Sequence, residues 1–117
     1  MGGLGVAGGA FASHALQNRL TERALEVFNL GIRYQMYHAL ALLGVALLMG
    51  MHPDNPWLGG AGWGFIIGVV LFSGSLYLLS LAGVKAAGPI TPLGGVALLV
   101  GWGCLAIAAL TLPATHP

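Results

Sequence analysis

After Arg33 the chain almost runs out of charge. Arg19, Glu22, Arg23, Glu26 and Arg33 crowd into one short segment, and only Asp54 and Lys85 follow. A soluble domain carries about 25% charged residues to keep its surface wet. Here 6% of the residues are charged and 57% are hydrophobic. Such a chain cannot clothe a soluble globule, so the bilayer is its natural solvent. The formal net charge is +1, and no basic stripe with interleaved aromatics is present, which sets nucleic acid aside as a partner. The one cysteine, Cys104, forms no internal disulfide and lies in an apolar run, where it is expected to pack as a small hydrophobe.

Crossing a hydrocarbon core of roughly 30 Å takes about 20 apolar residues in a helix. Four segments qualify or come close: 2–16, which is short, then 34–51, 57–82 and 93–112. Two connections are turn-like. "HPDNP" (52–56) and "GVKAAGPITP" (83–92) carry the Pro, Asp, Asn and Gly that break helices, and Pro92 suits the start of the fourth helix. The first segment also shows a small-residue pattern, Ala10-Phe11-Ala12, that imitates a signal cleavage site. No Lys or Arg precedes it, so a retained helix is the expectation.

Residues 17–33 differ from the rest. Thr21 is placed to cap a helix beginning at Glu22. Leu20, Leu25, Val27, Phe28, Leu30 and Ile32 alternate with charged residues, and Arg23 and Glu26 are neighbours at i,i+3. The pattern predicts a short amphipathic helix over about 20–33, lying at the membrane interface between spans one and two. The alternative is a solvated polar loop with local helicity. The positive-inside rule places the connections 17–33 and 83–92, which hold all four Lys and Arg residues, in the cytoplasm.

Glycines set the packing expectation. Gly60, Gly64 and Gly68 recur every fourth residue, as do Gly5 and Gly9, and each set makes a smooth face that another helix can approach. Ser73 and Gly74 continue this small-residue character. Gly3-Leu4-Gly5-Val6-Ala7-Gly8 imitates a dinucleotide-binding loop, but no strand can precede it and the composition cannot build a soluble parallel sheet.

The chemistry-bearing residues gather near the start of the second span, "RYQMYHALALL" (33–43). Tyr34 and His38 share a helix face; Arg33 and Tyr37 form a second i,i+4 pair. His14 ends the first span at a similar depth. An imidazole inside a membrane needs a partner and is a functional candidate by default. Three readings stand open. Arg33, Tyr34 and Tyr37 anchor at the interface while the histidines bond across helices; or His14, Arg33, Tyr34 and His38 line a small-molecule, lipid or quinone site; or His14 and His38 ligate a metal or haem. Two histidines without a carboxylate or thiolate nearby are a weak metal signal, so no metal or cofactor is expected. The only aspartate, Asp54, is placed on the opposite side of the membrane, so no hydrolase triad forms. His52 and His116 fall in a loop and the tail. Ser73 and Tyr77 share a face and are expected to bond to a neighbouring helix, whereas Trp102 is expected to pack among glycines.

Four stretches together carry a resemblance: "GAFASHAL" (9–16), "RYQMYHALALL" (33–43), "LFSGSLYLLSLAG" (71–83) and "ITPLGGVALLVGW" (90–102). In this order they resemble the domain of unknown function 423 family, also called UPF0382, which takes in the eukaryotic transmembrane protein 256. The matching residues are Gly9, Phe11, His14, Tyr34, His38, Ser73, Gly74, Ser75, Tyr77, Thr91, Pro92, Gly94, Gly95 and Trp102. The resemblance implies a small four-helix integral membrane protein, in bacteria an inner-membrane one, and implies no agreed activity. The family pattern reads more like "GAFGAH", so Ala12 and Ser13 depart from it. The family also has more chain ahead of this motif, so the first span is expected to be cut short.

The expectation is therefore an all-α bundle of four transmembrane helices with an interfacial helix between the first two. Its partners are the lipid bilayer and other membrane subunits or further copies of itself. Its role is that of a non-enzymatic accessory or structural subunit, with the His14, Tyr34 and His38 site as the alternative.

Overall fold

The computed structural model describes residues 1–11 and 21–112. Every regular element among them is helical: α1 (Gly2–Phe11), α2 (Glu22–Met51), α3 (Pro56–Tyr77), and α4 (Ile90–Thr111). α3 continues through a π-helical turn, Leu78–Ala82, and a 3-10 turn, Lys85–Ala87, precedes α4. Three helical segments, Glu22–Met51, Pro56–Ala82 and Lys85–Thr111, are long and apolar enough to cross a membrane, and Gly2–Phe11 is a shorter apolar helix.

Local sequence sets the ends. The Thr21 hydroxyl accepts from the Ala24 amide at 3.1 Å, satisfying one of the free donors of the first turn of α2. Asn55 caps α3 in the same way, its side-chain oxygen accepting from the Trp57 amide at 3.0 Å, with Pro56 pre-set for the first helical position. Beyond the π-helical turn, Gly83 takes φ of 64°, the left-handed conformation that ends helices at little cost only for glycine. Pro92 sits inside the first turn of α4 rather than at its start, because the helix already begins at Ile90.

The expected division between an interfacial helix and the second span does not occur. Residues 22–51 form one unbroken helix of 30 residues. Nothing between Leu30 and Tyr34 breaks it: a lone glycine, Gly31, costs a helix interior only about 1 kcal/mol. α3 approaches closely at that glycine, with the Tyr77 ring 2.7 Å from where a β-carbon would stand. At 1.5 Å per residue the helix is about 45 Å long. Its charged first turns therefore extend the span along its own axis rather than lying flat.

α3 is the central element, with α2 packed on one flank and α4 on the other; α1 packs against the first half of α2. The α3–α4 seam is antiparallel and unusually close. Gly60 meets Cys104, Gly64 meets Gly101, Gly68 meets Leu98, and Gly94 meets the backbone of Phe72. The main core lies where the three long helices meet: Val45 from α2, Ala61, Phe65 and Val69 from α3, and Leu98 from α4. Cys104 packs at its edge, half-buried. A second cluster forms around Phe28, with Leu25, Ile32 and Tyr77. α1 fits against α2 because Gly5 and Gly8 leave room for Met36 and Ile32. Gly9 makes only an ordinary contact with Ile32, at 3.9 Å. Gly74 lies against no helix, with nothing within 4 Å of its β-position; at that level the adjacent Ser73 and Ser75 make the contacts.

Candidate functional site: the His38 junction and its groove

His38 has both ring nitrogens engaged, one within α2 and one across to α4. Its side chain is buried, at 4% exposure, on the α2 face toward Phe65 and Trp102. Nδ1 lies 2.7 Å from the Tyr34 carbonyl oxygen one turn back. A carbonyl only accepts, so Nδ1 carries the proton. Nε2 accepts from the Trp102 indole N–H at 3.0 Å. An indole N–H only donates, so Nε2 is bare. The two contacts define a neutral imidazole in one tautomer, with both nitrogens engaged. Phe65 fills the angle between the partners, its ring centroid 5.5 Å from His38 and 4.9 Å from Trp102.

A second polar junction sits about one turn earlier along α2. Tyr77 donates to the Gln35 amide oxygen at 2.6 Å, and Gln35 donates in turn to the Met1 carbonyl at 2.7 Å, tying α3, α2 and the start of α1 together. Ser73 donates to the Gly31 carbonyl at 2.7 Å. Thus Ser73 and Tyr77 do share one face and both bond α2. Farther along, Ser75 and Thr91 join α3 to α4 near one end, and Asn55 donates to Thr111 at 3.1 Å near the other. Among the described residues no buried side-chain polar atom lacks a partner. The Ser73 contact can be weighed directly. Helix–helix hydrogen bonds in membranes average about 0.6 kcal/mol and reach about 1.7. Ser73→Ala is expected to lower the free energy of SDS-driven unfolding by about 1 kcal/mol while leaving helicity unchanged.

Between α2 and α4 lies an open groove of about 440 Å³. Tyr34 and His38 form one wall, Phe72 of α3 contributes to the floor, and Pro92, Gly95, Val96, Leu99 and Trp102 line the α4 side. Tyr34 stacks on Phe72 with ring centroids 4.6 Å apart. Of the four residues named as ligand candidates, Tyr34 and His38 therefore share the groove. Arg33 is exposed, one position before Tyr34 and outside the lining. His14 lies outside the described residues, as do Arg19 and His116. Metal ligation by His38 in this arrangement requires Nε2 to leave Trp102, and no cluster of three His, Cys, Asp or Glu exists among the described residues. Trp102 is the functional neighbour that sequence reasoning missed. The signal was an indole donor and an imidazole acceptor, each embedded in an apolar run and each in need of a partner.

Three long apolar helices joined by buried polar contacts define a small multi-pass α-helical membrane protein. The chain belongs to the family described as protein of unknown function (DUF423), which matches residues 8–95. It is 43% identical to the UPF0382 membrane protein YwdK of Bacillus subtilis over 107 residues, covering 92% of this chain and 87% of the relative. It is 42% identical to a UPF0382 membrane protein of Staphylococcus epidermidis over 107 residues, covering 92% and 86%. A UPF0382 membrane protein of Haemophilus influenzae is 43% identical over 101 residues, covering 86% and 80%. No solved structure matches the chain.

Proposed function

We propose that this chain is a non-catalytic accessory subunit of the bacterial inner membrane, packing against another membrane protein or a second copy of itself. The observation that carries this reading is how its interior polar groups are spent. His38, Gln35, Tyr77, Ser73 and Ser75 each bond to backbone or to another side chain, and all five reach across to a different helix. Groups held this way specify how helices assemble and leave little for proton transfer or nucleophilic attack. Unfilled glycine positions support association. Gly44 and Gly50 on α2, and Gly103 on α4, meet nothing within 4 Å and offer faces a further helix can approach closely. In this reading the stretch 17–33, which runs into α2, and the connection 83–92 face the cytoplasm, in keeping with the cations they hold.

The test is the mass of the chain in its lipid setting. Extracted in mild detergent and transferred to nanodiscs, it is expected to run as a stoichiometric assembly, with itself or with one partner. A chain that stays monomeric in both settings at every concentration overturns the proposal.

The groove favours a second reading, a small-molecule, lipid or quinone site beside Tyr34 and His38. Its lining is apolar and continuous, and it opens between two helices rather than being closed by a third.

A further inference from the structure

We propose that the groove between α2 and α4 holds one acyl chain of an anionic phospholipid from the leaflet nearer the connection 83–92. The proposal rests on the second reading above and names its occupant.

Depth is the first argument. The groove runs along α4 from Pro92 to Trp102. At 1.5 Å per residue that is about 15 Å, half of a hydrocarbon core of about 30 Å. It therefore reaches from one membrane surface to the midplane, the depth of a single leaflet. Shape is the second. Phe72 forms part of the floor of the groove, and its α4 wall is opened by Gly95, which has nothing within 4 Å of its β-position. A partner helix is about 10 Å across, whereas an extended acyl chain needs only the space that one missing side chain leaves.

Charge is the third. The outer end of the groove, at Tyr34 and Pro92, is the end that carries exposed Arg33 and Lys85. Glu22 and Glu26 lie two to three turns farther out along α2, and Asp54 is at the opposite end of the helices. A cation beside the headgroup level attracts anionic lipid, and long basic side chains reach along the helix to meet it. Tyr34 stands at the same level, where a phenol pairs an apolar ring with a hydroxyl able to donate to phosphate. At the inner end Trp102 is held by His38, so a chain in the groove terminates against a fixed indole.

Trp102 also reports the occupant: it is 45% exposed, so lipid outside the groove quenches it too, and the readout is the difference between lipids. Trp57→Phe and Trp63→Phe leave it as the only tryptophan. The full chain carrying these two changes is placed in phosphatidylethanolamine nanodiscs with a small fraction of phosphatidylglycerol or phosphatidylcholine, brominated on the acyl chains. Bromine quenches an indole only in contact. Quenching of Trp102 is expected at several-fold lower mole fraction of the glycerol lipid than of the choline lipid. Arg33→Gln should reduce that preference about fivefold, the factor that one basic residue contributes near an anionic surface. Gly95→Leu fills the groove from a position with no internal neighbour and should abolish the preference with folding intact. Gly103→Leu, on open surface outside the groove, should leave the preference unchanged.

Equal quenching by both lipids, still relieved by Gly95→Leu, overturns the anionic occupant and leaves the groove reading standing. Quenching by neither lipid overturns lipid occupancy altogether, and a dimer in the same nanodiscs then assigns the groove to a second copy. Equal quenching unaffected by Gly95→Leu overturns both the occupant and the groove as a site.

Discussion

Gly64→Val is expected to be among the most damaging single changes to this fold, costing about 3 kcal/mol or more of the free energy of SDS-driven unfolding. A β-carbon at position 64 would stand 2.7 Å from the Gly101 α-carbon and 2.8 Å from its nitrogen. Both are backbone atoms, so no rotamer change relieves the contact and α4 must move away from α3. Overpacking in a yielding core costs about 1–3 kcal/mol; here the obstacle cannot yield. The displacement also draws Trp102, next to Gly101, away from His38. Membranes add no hydrophobic drive to reclose a gap between helices, because lipid is as apolar as the seam. Gly74→Ala is the control: its β-position meets nothing within 4 Å, and it should change stability little. Equal effects of the two substitutions would show that the α3–α4 seam is not closed as described.

His38→Ala is expected to lower stability by about 2–4 kcal/mol through two separable losses. Removing a buried side chain leaves a cavity among Tyr34, Phe65 and Trp102. It also deprives the indole N–H of its acceptor, which costs about 1–3 kcal/mol where no water replaces it. The second loss can be isolated. Trp102→Phe removes the donor, and a double-mutant cycle with His38→Ala should return a coupling of about 1 kcal/mol. Zero coupling would mean that the imidazole and the indole do not depend on each other. A His38→Ala chain of unchanged stability would move His38 from the framework into chemistry.

Much of the architecture was legible in the sequence because it follows from short-range rules. Thr21 and Asn55 cap because their side chains reach the amides two or three residues on. Gly60, Gly64 and Gly68 fall on one face because four residues nearly complete a turn. The other half of that seam was harder to see. Gly94 and Gly101 are seven apart, also one face, but nothing local says which helix they meet. Gly31 read as part of an interfacial segment, and only the approach of Ser73 and Tyr77 shows why the helix runs straight through it.

The candidate site was legible only in half. Tyr34 and His38 stand one turn apart on a helix, so their proximity needed no fold. Trp102 is 64 positions from His38, and only the packing of both flanking helices on α3 brings them together. The sequence by itself determined the solvent, through a charge-free run that cannot be wetted, and the helix ends, through caps and a left-handed glycine. The tertiary structure alone decided what α2 meets at Gly31, the α3–α4 register and the partner of His38. Backbone hydrogen bonds close within a helix whatever surrounds it, but in lipid the choice between helix faces rests on close fit and a few buried polar pairs, which exist only once the helices have met.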